Sequence, residues 1–194
     1  MIPQFAARRI ALAPVIVFAL ATLFLAGIVH IVVILLVPRM AENDGWSRLA
    51  AVAAERRFGL VTAIEGDGST VPGLDPLFVH GACRINISLS PARLALVAAD
   101  RFWSLAIYDE NGTAIFSLND RTAAEGVLQM LIVTPLQNAE LRESDPAALA
   151  ESIAVESEKT DLIALIRLYA PSSISRDEAR AILNGAACTP EAMP

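Results

Sequence analysis

Histidine and cysteine are scarce in this chain of 194 residues, which holds two of each. The histidines are His30 and His80, the cysteines Cys83 and Cys188, and no Cys-x-x-Cys pair occurs. A Cys/His metal centre needs three or four ligands from that pool, so no metal is expected, and no cofactor either. Equally missing are a Gly-x-Ser-x-Gly nucleophile elbow, a phosphate-cradling glycine loop and a dinucleotide fingerprint. The common hydrolase, NTPase and nicotinamide classes lose their usual signatures, and the catalytic set, if any, is unknown. Acidic residues are absent from the first forty positions. All 21 of them come after Met40, with 12 of the 15 basic residues, so residues 41–194 carry a net charge of −9. That part lacks the basic face a nucleic acid requires, which excludes DNA and RNA as partners.

What is present begins with Ile10–Val37, a run of 28 residues without a charge and with His30 as its one strongly polar side chain. Roughly 20 apolar residues cross a bilayer as a helix, and a helix satisfies its own backbone there. The run reads as a single membrane-spanning helix with the lipid bilayer as its surroundings. Arg8 and Arg9 precede it, while Arg39 and Arg48 on the far side are interleaved with Glu42 and Asp44. The positive-inside rule then gives a cytoplasmic tail at 1–9, an anchor at 10–38 and export of the chain from residue 39 onward. A cleavable signal peptide is the rival reading. Its apolar core would be 7–15 residues long with small residues directly after it, whereas here the core runs into Val37-Pro38-Arg39-Met40. Gly27 and His30 lie three apart on one helix face and are candidates for pairing with another membrane helix, or His30 simply reaches headgroup water. Pro38 is expected to bend or end the helix.

Residues 39–57 read as a juxtamembrane stalk helix, with Trp46 suited to the bilayer interface and Gly45 weakening its first turn. From residue 58 short apolar runs alternate with turn residues, and strands are expected at 60–64, 83–89, 93–98, 102–108, 113–118, 127–134, 152–156 and 162–169. Alternation in Arg84–Leu89 places Ile85, Ile87 and Leu89 on a buried face. Asn111-Gly112 signals a hairpin turn, Gly66–Asp75 a loop, and Ser90-Pro91 a tight connection. Ser144-Asp145-Pro146 opens a short helix, and Ser175-x-x-Glu178 has capping-box spacing for a terminal one that stops at Gly185. The expected fold is therefore an N-terminal transmembrane helix plus an α+β domain at 58–194. Its mainly antiparallel strands form a sheet or sandwich with peripheral helices.

His80 is the sole histidine of the exported domain, so any His-dependent chemistry must use it, although its place before a strand suggests a loop or surface side chain. Asp109, Asp120 and Arg121 fall at strand ends, where such side chains usually cap turns. Phe102, Trp103, Tyr108 and Phe116 most simply form core, with a ligand groove as the lesser reading. Cys83 and Cys188 would meet an oxidising compartment after export and are candidates for a disulfide spanning 105 positions. Two unrelated thiols are the alternative.

The run Phe102-Trp103-Ser104-Leu105-Ala106-Ile107-Tyr108-Asp109-x-x-Gly112, with Phe116-Ser117-Leu118-Asn119-Asp120-Arg121, resembles bacterial domain-of-unknown-function family 1254. The segment Ile166-Arg167-Leu168-Tyr169-x-Pro171 is similar to part of a related family that often accompanies it, and the leading helix running into Pro38-Arg39 is like that family's short integral membrane form. The resemblance implies an exported β-rich domain without an established activity, and larger relatives carry two such domains. The sequence thus points to a single-pass protein of the bacterial inner membrane with a periplasmic, non-catalytic binding domain. Its partner would be another envelope protein with a related β-rich domain, or a small ligand. The alternative is an envelope hydrolase using His80.

Overall fold

The computed structural model describes residues 12–62, 69–98, 101–123 and 126–192. The tail at 1–9 with Arg8 and Arg9, the last two residues of the expected 60–64 strand, residues 66–68 of the expected loop, and the side chains of Arg39, Glu42 and Asp44 lie outside the described residues. Two compact units divide the chain, Met1–Ala41 and Glu42–Pro194.

Helix α1 runs from Leu12 to Val52. Its stretch Ala13–Val37 is long and apolar enough to cross a membrane, and its apolar side chains are exposed on every face. In water such a helix would leave all of that surface unburied. Nothing lies within 4 Å of a Cβ built on Gly27. Pro38 and Gly45 fall inside the helix, so neither ends it.

The last turns of α1 belong to the second unit rather than to a separate stalk. Trp46, Leu49, Ala50 and Val52 pack on Val61, Ala82 and Ile163. Packing of this kind holds a helix together where its local propensity is poor. Helix does not extend to residue 57, because Ala54–Glu55 forms β1, Arg56 turns the chain at φ 59°, and Phe58 is buried.

The domain is a two-sheet sandwich. After β1 come β2 (Gly59–Thr62), β3 (Ser69–Thr70), β4 (Phe78–Asn86), β5 (Ala92–Val97), β6 (Trp103–Asp109), β7 (Ala114–Asn119) and β8 (Val127–Val133). Helices α2 (Pro135–Ser144) and α3 (Pro146–Ala150) precede β9 (Ile153–Glu156) and β10 (Asp161–Tyr169), and α4 (Ser173–Gly185) leads into β11 (Ala187–Pro190). The larger sheet has the order β3-β2-β4-β10-β6-β7, with β1 also on β4, and the smaller one β11-β5-β8-β9. Parallel pairs occur at β1/β4, β2/β3 and β8/β9, and the other ladders are antiparallel.

Alternation builds the core. Leu162, Ala164, Ile166 and Leu168 of β10, with Trp103, Leu105 and Ile107 of β6, meet Leu94, Leu96, Leu128, Met130 and Ile132 of the smaller sheet. Each large side chain so buried removes about 1.5–3 kcal/mol worth of apolar surface from water. The hairpin after β6 turns at Gly112, whose φ of 77° suits glycine.

Several local expectations change. Leu89 is 92% exposed rather than buried. Asn86 ends β4 by accepting the Ser88 N–H on its side chain, and the strand's alternation stops with it. Helix α2 is unexpected from apolar periodicity, yet Thr134 and Gln137 cap it reciprocally. The cap of α4 is Ser172 with Ser175 at its third position, three residues before the Ser175–Glu178 box. Strand β11 is also new, and it carries Cys188 onto β5 beside Leu94.

Candidate functional site

The register of the larger sheet decides which side chains meet on its outer face. Opposite His80 of β4 stands Arg167 of β10, and opposite Arg167 on its other side stands Ser104 of β6. One pair further along, Phe78 faces Tyr169. These positions alternate with the core positions, so they point away from the smaller sheet. The α1 end and the segment from Val71 to Leu74 cover one part of that face. The uncovered part is a groove of about 700 Å³ between Gly73–Asp75 on one side and Tyr108, Ser117 and Asn119 on the other. Leu165 and Arg167 are on its floor strand, β10.

Arg167 is the charged centre of the groove. Its Nε donates to Ser104 Oγ at 2.6 Å, and its guanidinium carbon lies 5.5 Å from the centre of the Phe78 ring. Phe78 in turn meets Phe102 and Tyr169 edge-on, at 6.1 and 5.5 Å between centroids. Three other arginines of the domain are closely paired with carboxylates: Arg84 with Asp161, Arg93 with Glu191 and Arg101 with Glu178. Among the described residues no carboxylate pairs with Arg167. Asp75 also lines the groove, where its Oδ1 accepts the Leu77 N–H at 2.9 Å.

His80 is neither on a loop nor on the surface. It lies within β4, which begins at Phe78, five residues before the expected start at Cys83, and it is 4% exposed. Burial pushes its pKa below the ordinary histidine value, and the charge of Arg167 pushes the same way, while Asp75 and the Phe78 carbonyl oppose them. No hydroxyl, thiol or carboxylate is hydrogen-bonded to it among the described residues. The geometry therefore assembles no nucleophile and base around His80.

The other candidates do not converge on the groove. Asp109 accepts the N–H groups of Asn111 and Thr113 on Oδ1 and so caps the hairpin turn. The Asp120 N–H bonds to the Trp103 carbonyl, and the Arg121 N–H to the Asn119 side chain. Trp103 is core, Tyr108 and Phe116 are half-buried, and Phe102 is 43% exposed on the groove's aromatic rim. Cys83 and Cys188 are bonded to each other with Cα atoms 6.6 Å apart. Among the described residues no three His, Cys, Asp or Glu side chains are placed to hold a metal ion. Sequence reading missed Arg167, Ser104, Phe78 and Tyr169. Alternation along 162–169 already sets Arg167 and Tyr169 on the face opposite the core.

No protein-family model matches the chain, and no curated protein is similar to it. Among solved structures, a Vibrio parahaemolyticus protein superposes with a TM-score of 0.50 at 13% identity, over 61% of this chain and 29% of that one. An uncharacterised Burkholderia cenocepacia protein gives 0.46 at 12% identity, over 77% of this chain and 41% of that one. The chain spans less than half the length of either, and what it is similar to in the Vibrio protein is the fold alone.

Proposed function

We propose that this chain is a single-pass protein of the bacterial inner membrane that presents a non-catalytic binding domain to the periplasm. The observation that carries the reading is the Cys83–Cys188 disulfide in a domain that comes after an exposed apolar helix. Disulfides persist in oxidising compartments and are rare in the cytosol, so helix and bond together favour an anchor with an exported domain. The groove around Arg167 supports binding, and the fact that no hydroxyl, thiol or carboxylate is hydrogen-bonded to His80 among the described residues weighs against the hydrolase alternative. The family 1254 resemblance belongs to the same reading, with another envelope protein carrying a related β-rich domain as the partner class. Fusion of a periplasm-active reporter after Pro194 tests the location. Activity is the expected result, and a silent fusion beside an active cytoplasmic reporter would overturn it. Capture of a defined envelope protein by the anchored chain in mild detergent tests the binding role.

A further inference from the structure

We infer that the groove on the outer face of the larger sheet takes a small organic monocarboxylate, gripped by Arg167 while Ser104 and Phe78 hold the guanidinium in place. The inference rests on the binding role proposed above and names its ligand class.

Arg167 lines the groove with its Nε and one face of its guanidinium already fixed. Arg84, Arg93 and Arg101 each meet a carboxylate oxygen at 2.6–2.7 Å. Arg167 gives its Nε to Ser104, rests over Phe78, and has no acceptor for its two terminal amino groups among the described residues. Those two groups form a flat edge that matches the two oxygens of a carboxylate. Because a hydroxyl and a ring already fix the side chain, little conformational freedom remains to be lost on binding.

Charge selects the kind of anion. Arg167 and Asp75 both line the groove, one a cation and the other an acid. Burial keeps the neighbouring His80 from adding a second positive charge at neutral pH. The domain around them is strongly acidic, with a net charge of −9 over residues 41–194. Such a field disfavours a multiply charged anion and admits a monoanion that is held at a single point. Shape selects the body. Phe102 lines the groove and meets, edge-on, the Phe78 ring that lies against the guanidinium. Tyr108, Ser117 and Asn119 supply polar groups on the other side. A space of about 700 Å³ falls within the usual range for small-molecule sites, so a ring-sized acid with apolar faces or hydroxyl groups fits.

The test uses the full chain in detergent micelles, titrated calorimetrically at constant ionic strength with benzoate, glucuronate and inorganic phosphate. At least one of the two carboxylates is expected to bind, with phosphate at least tenfold weaker. Arg167→Gln should weaken carboxylate binding tenfold or more, and Ser104→Ala a few-fold by loosening the guanidinium. Arg121→Gln, an exposed arginine outside the groove, should change nothing. Arg167→Lys keeps the charge but loses the flat edge. It should also weaken binding, and it serves as the second variant where Arg167→Gln fails to fold. Carboxylate binding that survives Arg167→Gln or Arg167→Lys would overturn the role of Arg167 while leaving a binding domain. Phosphate binding as tight as the carboxylates, or no binding of either carboxylate, would overturn the ligand class. Partner capture in mild detergent then decides the wider binding role separately.

Discussion

Cys83 in β4 and Cys188 in β11, 105 positions apart in sequence, are bonded across the two sheets of the sandwich. Strand β11 is four residues long and lies on the outer edge of the smaller sheet. Short terminal strands fray unless something ties them down, and here a covalent bond and the Arg93–Glu191 pair both do so. Closing a loop of about 105 residues removes roughly 4–5 kcal/mol of chain entropy from the unfolded state, with real gains often smaller. Replacing both cysteines by Ala should therefore lower the unfolding midpoint markedly and increase hydrogen exchange in 187–190. Two freely alkylated cysteines in protein taken from the native membrane would sink this prediction.

His80 should make stability depend on pH. Its folded pKa lies below the unfolded value of about 6.5, so the unfolded chain binds the proton more readily. The contribution is fully present above pH 6.5 and is lost as the pH falls through the folded pKa. Arg167 and Asp75 are the charged groups that act on it, in opposite senses. Wild type should lose stability between pH 7.5 and 5 faster than His80→Phe when both are unfolded by urea. Parallel curves for the two proteins would refute the buried neutral histidine.

Gly81 is required by close packing rather than by its backbone angles. A Cβ at this position would overlap the Leu183 side chain of α4. Gly81→Ala should cost about 1–3 kcal/mol, the usual range for overpacking a filled core. Adding Leu183→Ala makes room for the new methyl group while creating a cavity of its own. The double variant should therefore be less destabilised than the sum of the two single changes. Simple additivity in a denaturant series would show that α4 does not press on β4 as described.

Period-two patterning explains why so much of the sandwich was legible. Strands such as β6 and β10 alternate cleanly, and Asn111-Gly112 announces its own turn. What stayed hidden depends on partners distant in sequence. Ala187–Pro190 has no strand signature of its own and becomes β11 only because β5 offers a ladder. The burial of His80 comes from its central strand, and Arg167's lack of a carboxylate is a property of its neighbours in space. Thr134 and Gln137 were a local signal, the Thr-x-x-Gln form of a capping box, that marks α2 without any apolar stripe.

The domain should start at Glu42 rather than at residue 58. The last turns of α1 cover Val61, Ala82 and Ile163, and all three are buried beneath them. Trp46, Leu49 and Val52 are half-buried in that contact, and losing them would expose both surfaces. At about 1 kcal/mol or more for each side chain, the loss approaches 3 kcal/mol. That is a large share of the 5–15 kcal/mol typical of a whole domain. Deleting 42–57 would also remove β1 from its place beside β4. A soluble form beginning at Glu42 is therefore expected to unfold cooperatively with dispersed amide resonances. A form beginning at Phe58 should unfold at a much lower urea concentration or aggregate. Trp46→Ala in the longer form should lie between the two. Equal midpoints for the two truncations would show that the α1 end contributes nothing to the sheet it covers.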